Sequence, residues 1–234
     1  MSNAAIEMKN VSRVHLSGNG DTVHALRDVN FSVVHGEYVA IIGPSGAGKS
    51  SLLNILGCLD RPSDGVLLIG GTRVADLTDA QTGRIRNEEI GFVFQSFNLI
   101  PTLTAAANVE LPMVYAGVPG AERRERSMRA LERVGLAYRA DHRPNQLSGG
   151  QQQRVAVARA IVNEPTFILA DEPTGNLDSR ATEDVLGIFD ELHSTGATII
   201  TITHEAEVAD RAERVITMRD GQIAEERLNA RERR

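Results

Sequence analysis

The sequence has a single cysteine, Cys58, so no internal disulfide can form, which suits a reducing compartment. It has no apolar stretch approaching the ~20 residues a membrane-spanning helix needs. Its longest apolar runs, such as Tyr38–Ile42, have the length of a strand. The N-terminus has no basic segment followed by an apolar one, which a secretory signal would need. A surplus of positive charge is missing too. The net charge of −6 leaves no electrostatic footprint for nucleic acid. Lysine is scarce: of 25 Lys and Arg residues, only Lys9 and Lys49 are lysine.

What is present is ordinary for a folded chain. With 234 residues, 41% hydrophobic and 24% charged, disordered and fibrous classes are excluded. A chain this long buries roughly 70–75% of its unfolded surface, enough for one domain carrying a subdomain. Residues 6–34 alternate polar and apolar, with Ser17-Gly-Asn-Gly-Asp21 between runs, which predicts short antiparallel strands and a hairpin. Tyr38–Ile42 is apolar throughout, as a strand covered on both faces would be. A glycine-rich turn follows, then helical spacing over 50–59 (Leu52, Leu53, Leu56, Leu59), which places Cys58 in a helix as a small buried hydrophobe. Residues 65–69 and 90–94 read as strands, 104–162 as mostly helical. Within that block, 121–134 is a charged amphipathic helix with Met128, Leu131 and Val134 on one face. Strand-like runs return at 167–170, 197–202 and 215–218, separated by helical stretches at 181–192 and 205–211. The expectation is an α/β fold: a parallel-sheet core, an N-terminal antiparallel β subdomain and an inserted α-helical subdomain over about 96–160. The tail 227–234 reads as frayed.

Gly43-Pro-Ser-Gly-Ala-Gly-Lys-Ser50 fits G-x-x-x-x-G-K-[ST], and it lies between a predicted strand and a predicted helix. Glycines let the backbone wrap closely, so that Gly43, Pro44, Ser45, Gly46, Ala47 and Gly48 cradle phosphate oxygens. The helix that follows adds its positive end. Lys49 is placed to reach the β- and γ-phosphates and the Ser50 hydroxyl to bind Mg²⁺, with Ser51 next in the loop. A glycine-rich turn that binds nothing is the plainer reading. With two lysines in the chain, however, a chance match has a probability on the order of 0.002.

Phe167-Ile-Leu-Ala-Asp171-Glu172 is an apolar strand ending in two carboxylates. Asp171 suits Mg²⁺, and Glu172 suits a general base for water. Alone, such a pair reads as a solvated turn; beside a phosphate loop it gains weight. A guanine-binding switch needs Asn-Lys-x-Asp, and Lys9 follows Met8 while Lys49 follows Gly48. A second phosphate reader, Leu147-Ser-Gly-Gly-Gln-Gln-Gln-Arg154, opens a helix with Ser148 as its N-cap.

Leu147-Ser-Gly-Gly-Gln151, between a phosphate loop and an acidic strand end, resembles the signature of ABC-type ATPases. The resemblance runs from about residue 6 to 226. Gln95, ending Ile90-Gly-Phe-Val-Phe-Gln95, is similar to the Q-loop glutamine, Asn176-Leu-Asp178 to the D-loop and His204 to the switch histidine. The runs Leu56-Gly-Cys-Leu-Asp-Arg-Pro62 and Asp171-Glu-Pro-Thr-Gly-Asn-Leu-Asp178 resemble the macrolide-exporter, lipoprotein-releasing and cell-division ATPase subfamily.

The resemblance implies a P-loop NTPase (RecA-like) fold over the whole chain, 1–234. It implies ATP and Mg²⁺ as cofactors and a second copy arranged head to tail. Each site would join the phosphate loop of one copy to Ser148, Gly149, Gly150 and Gln151 of the other. Glu172 would activate water, Gln95, Ser50 and Asp171 would meet Mg²⁺, His204 the γ-phosphate, and Asp178 would couple the sites. The family stacks adenine on an N-terminal aromatic residue, and His15 is the matching position. The implied setting is cytoplasmic, on the inner face of the plasma membrane. There the chain would power a separate transmembrane permease docked near 95–112 and the helical insertion. An ATPase of a mechanotransmission or cell-division complex has the same engine. A soluble ABC-type ATPase acting on DNA or ribosomes is disfavoured by the missing basic surface and second ATPase domain.

Overall fold

The computed structural model describes residues 3–16 and 22–229; the expected hairpin turn at 17–21 and the end of the tail lie outside them. Two 13-residue strands come first, β1 (Ala4–Leu16) and β2 (Thr22–Val34). They are antiparallel, longer than the short strands expected, and carry several bulges. With β4 (Asp64–Ile69) and β5 (Thr72–Arg73) they form a four-stranded antiparallel sheet in the order β2-β1-β4-β5.

The second sheet holds β3 (Tyr38–Ile42), β6 (Ile90–Phe94), β7 (Phe167–Asp171), β8 (Ile199–Ile202), β9 (Arg214–Arg219) and β10 (Gln222–Leu228). Its order is β10-β9-β3-β8-β7-β6, parallel except for the β9–β10 hairpin. The helices are α1 (Lys49–Leu56), α2 (Asp79–Glu88), α3 (Ala105–Tyr115), α4 (Gly120–Arg133), α5 (Gly149–Ile161), α6 (Ser179–Ser194) and α7 (Ala206–Ala209).

Side-chain alternation explains the unbroken apolar runs. Tyr38, Ala40, Ile168, Ala170 and Ile199 pack with the side chains of α3–α6. Their neighbours Val39, Ile41, Leu169 and Ile200 pack with α1 and the antiparallel sheet. Both faces are covered, so both sets of strand positions are apolar.

Three expectations need correction. Helix α1 ends at Leu56 with Gly57 as C-cap, so Cys58 lies beyond it, in a left-handed conformation (φ 52°) though still buried. Leu59 is exposed rather than on the helix's buried face. Residues 227–228, expected to fray, pair with Val215 and Arg214 in the β9–β10 ladder.

Candidate active site

The parallel strands end on one edge, and the loops leaving them converge there. A cleft of about 660 Å³ is lined by Gly43–Gly46, Gly48–Ser51, Asp171, Glu172, Ile202 and His204, closed on one side by Val23, His24 and Ala25. β3 delivers the phosphate loop, β7 the two carboxylates and β8 the histidine.

The loop's shape depends on glycine. Gly48 has φ 98°, and a Cβ there would lie 2.6 Å from the Ala25 carbonyl oxygen. A Cβ on Gly43 would lie 2.5 Å from the Met218 carbonyl oxygen. Behind the loop, the Gly221 amide of the β9–β10 turn donates to Ala47 O at 3.1 Å. No side chain caps α1 and no acidic residue sits in its first turn, so its positive end is free for an anion. Lys49 Nζ donates to Gly43 O (2.7 Å) and Pro44 O (3.0 Å). An ammonium has three donors, so one remains for a phosphate.

Glu172 adopts a left-handed conformation (φ 44°), which costs about 1–3 kcal/mol and is held by its surroundings. Its amide donates to Ile202 O at 2.8 Å. His204 Nδ1 lies 2.9 Å from Glu172 Oε1. With the carboxylate ionised, Nδ1 carries the proton and donates, which leaves Nε2 for a ligand. Burial pushes the Asp171 carboxyl above the usual carboxylate range; the Glu172 charge adds to this and Lys49 opposes it. A cation at Asp171 would reverse that shift.

Gln95, just past the end of β6, is not among the lining residues; it approaches Glu172 across Gly175. A Cβ on Gly175 would sit 2.7 Å from Gln95 Nε2 and 3.4 Å from Glu172 Oε2, so glycine leaves room for amide and carboxylate together. Asn176 Nδ2 donates to Gln95 O at 3.0 Å.

Ser148, Gly149, Gly150 and Gln151 do not line this cleft. They form the start of α5, with a capping box in which the Gln151 amide donates to Ser148 Oγ (3.3 Å) and the Ser148 amide to Gln151 Oε1 (3.0 Å). The Ser148 hydroxyl accepts there, so its proton is free for an outside acceptor. Asp178 caps α6, accepting from the Ala181 amide at 2.9 Å. His15 is not among the lining residues; it faces Val23 across the β1–β2 ladder. Val23, His24 and Ala25 carry no motif, and sequence reasoning missed them. So it did the buried Gln153.

A phosphate cradle, an acidic strand end and a histidine-paired glutamate on a RecA-like sheet define an ATP-hydrolysing cassette. The ABC transporter family model matches residues 26–175. The chain belongs to this family as an ATP-binding cassette, an ATPase. It is 59% identical over 201 residues to an uncharacterised ABC transporter ATP-binding protein of Thermotoga maritima, covering 86% of each chain. It is 51% identical to the macrolide export ATP-binding/permease protein MacB of Rhodopseudomonas palustris, covering 98% of this chain and 35% of that one. The dimeric post-hydrolysis structure of the ATP-binding cassette MJ0796, bound to ADP and Pi, superposes with a TM-score of 0.87. That cassette is 44% identical, with 97% of this chain and 100% of the other covered.

Proposed function

We propose that this chain energises an export complex in a membrane, working as two copies closed head to tail around ATP. The single observation that carries the reading is a separation. Lys49, Ser50, Asp171, Glu172 and His204 share one cleft, while the second phosphate reader at Ser148–Gly150 lies outside it. A second copy can bring that reader to the cleft's open side. ATP then favours the closed pair only through contacts that ADP cannot make, which is how a ligand shifts an equilibrium. The dimeric MJ0796 cassette and the similarity to MacB support this reading.

Mg²⁺ fits the donors present. Ser50 offers a hydroxyl and Asp171 a carboxylate in the same cleft, while Gln95 lies beside Glu172. Among the described residues no group of three His, Cys, Asp or Glu could hold a metal alone. A hydroxyl and a single carboxylate leave positions for phosphate oxygens and water, which Mg²⁺ keeps. When bound, it neutralises charge on the phosphates. In this reading Lys49 and the loop amides hold the phosphates, Glu172 accepts a proton from water, and His204 keeps the Glu172 carboxylate aimed.

No helix among the described residues is long and apolar enough to cross a membrane. In this reading a separate permease supplies the membrane part. A groove of about 770 Å³ beside β6, apolar at Leu59, Phe92, Phe94 and Tyr115 and polar at Arg84, Arg86, Asn87 and Glu88, suits an amphipathic segment of the permease. Tyr115 is 80% exposed there, and Leu59 and Val114 are exposed beside it.

The test is a pair of variants. Glu172→Gln should lose at least 100-fold in hydrolysis and sediment as a dimer with ATP but not with ADP. Ser148→Arg should lose turnover and ATP-dependent dimers while its monomer binds ATP within twofold of the parent. Unchanged turnover in Glu172→Gln, or a parallel loss of monomer binding in Ser148→Arg, would refute the scheme.

A further inference from the structure

Helix α5 buries one long polar side chain in an otherwise apolar face. Gln153 is fully buried, with Val155, Ala156, Val157 and Ala158 following it. A buried amide costs stability unless it is bonded, and a leucine would fill the space without that cost. The bond Gln153 makes is specific. Its Nε2 donates to the Pro173 carbonyl at 2.6 Å, and its Oε1 has no hydrogen-bond partner among the described residues.

Pro173 follows Glu172, the residue with the left-handed backbone. The turn 172–176 is fastened by several elements. His204 meets the Glu172 carboxylate, Thr174 donates to Glu205 at 3.0 Å, and Asn176 bonds Gln95. Gln153 supplies the bond from α5. Ser148 begins that helix five residues earlier, about one and a half turns away. A rigid shift at the start of α5 therefore reaches the Pro173 carbonyl directly.

We infer that Gln153 is a positioning residue for hydrolysis: it fixes the Pro173 carbonyl, holds the turn that aims Glu172, and ties that aim to the seating of α5. This rests on the reading of Glu172 as the group that activates water. In the paired arrangement Ser148 faces one nucleotide and Glu172 serves the other, so Gln153 links the two sites within one copy.

The experiment uses the full chain with Gln153→Leu, Gln153→Glu and Glu172→Gln, each assayed for ATP affinity of the monomer and for kcat per nucleotide-binding site. Gln153→Leu should lower kcat at least tenfold with monomer affinity within twofold. The Gln153→Glu side chain can donate to the Pro173 carbonyl only when protonated. Its kcat relative to the parent's should rise as pH falls from 8 to 6, a trend that Gln153→Leu cannot show. If Gln153→Leu does not fold, that pH trend alone decides. A kcat within twofold of the parent in Gln153→Leu, equal losses of kcat and affinity, or a flat pH ratio in Gln153→Glu overturns the inference. Loss of hydrolysis in Glu172→Gln together with any of these leaves the proposed role of Glu172 standing. Retained hydrolysis in Glu172→Gln instead removes that role itself.

Discussion

Two residues show how the cleft's electrostatics are set. Lys49 is one of two lysines in an arginine-rich chain. Its compact ammonium donates to both the Gly43 and Pro44 carbonyls and keeps a third donor, on a smaller head than a planar guanidinium. Asp171 carries the opposite sign and is uncomfortable: burial and Glu172 raise its pKa despite Lys49. The folded chain then binds that proton more tightly than the unfolded chain. The carboxyl's stability contribution is complete below its unfolded pKa and is lost as pH rises through the folded value. Asp171→Asn removes the penalty. The nucleotide-free variant should melt on the order of 1–2 °C above the parent at pH 7, with the gap closing as pH falls through the raised pKa. Its ATP hydrolysis should be lost. Melting curves across pH check this, and a gap that widens toward acid would reverse the sign assigned to Asp171.

At the scale of elements, helix starts do double service. Asp178 is the N-cap of α6 and also sits in the turn region after Glu172. Losing the cap costs about 1 kcal/mol. Asp178→Ala should therefore lower stability by that amount, and Asp178→Asn, which still caps, should not. If Asp178 also couples two sites, both variants lose cooperativity in ATP concentration; chemical denaturation and ATP titration separate the effects.

Much of this layer could be read from sequence. β3, β7 and β8 are covered on both faces, so they read as apolar runs, broken in β8 only by the buried Thr201, and the loops after them carried the recognisable chemistry. Helix α2 escaped because Thr82 is its only buried residue; the signal that remained was the Thr78–Gln81 capping box. β10 escaped because it is exposed along almost its whole length. Gln153 sits in a run of glutamines that reads as surface, and only the fold buries it. Val23 and His24 line the cleft because β2 passes it, a fact of sheet packing that no local pattern encodes.

At the scale of the molecule, the site depends on distant parts of the chain. β3 carries the phosphate loop, yet its neighbours are β8 and β9: Tyr38 faces Ile199, and Val39 faces Arg214. The β9–β10 turn supports the loop from behind through Gly221. A chain ending after Glu213 should therefore neither melt cooperatively nor bind ATP, which calorimetry and nucleotide titration would show. A sharp transition with intact binding would mean that β9 and β10 are ornaments.

The same strand order sets a timetable for synthesis. The phosphate loop leaves the ribosome early, but it remains an unsupported segment until residues 199–219 follow it out. The helices α3–α5, which pack on one another, can assemble in the meantime because their contacts are local. ATP thus cannot template the nascent chain. It meets a cradle only once residues 199–219 have followed the loop out, and until then the chain's most recognisable motif is inert.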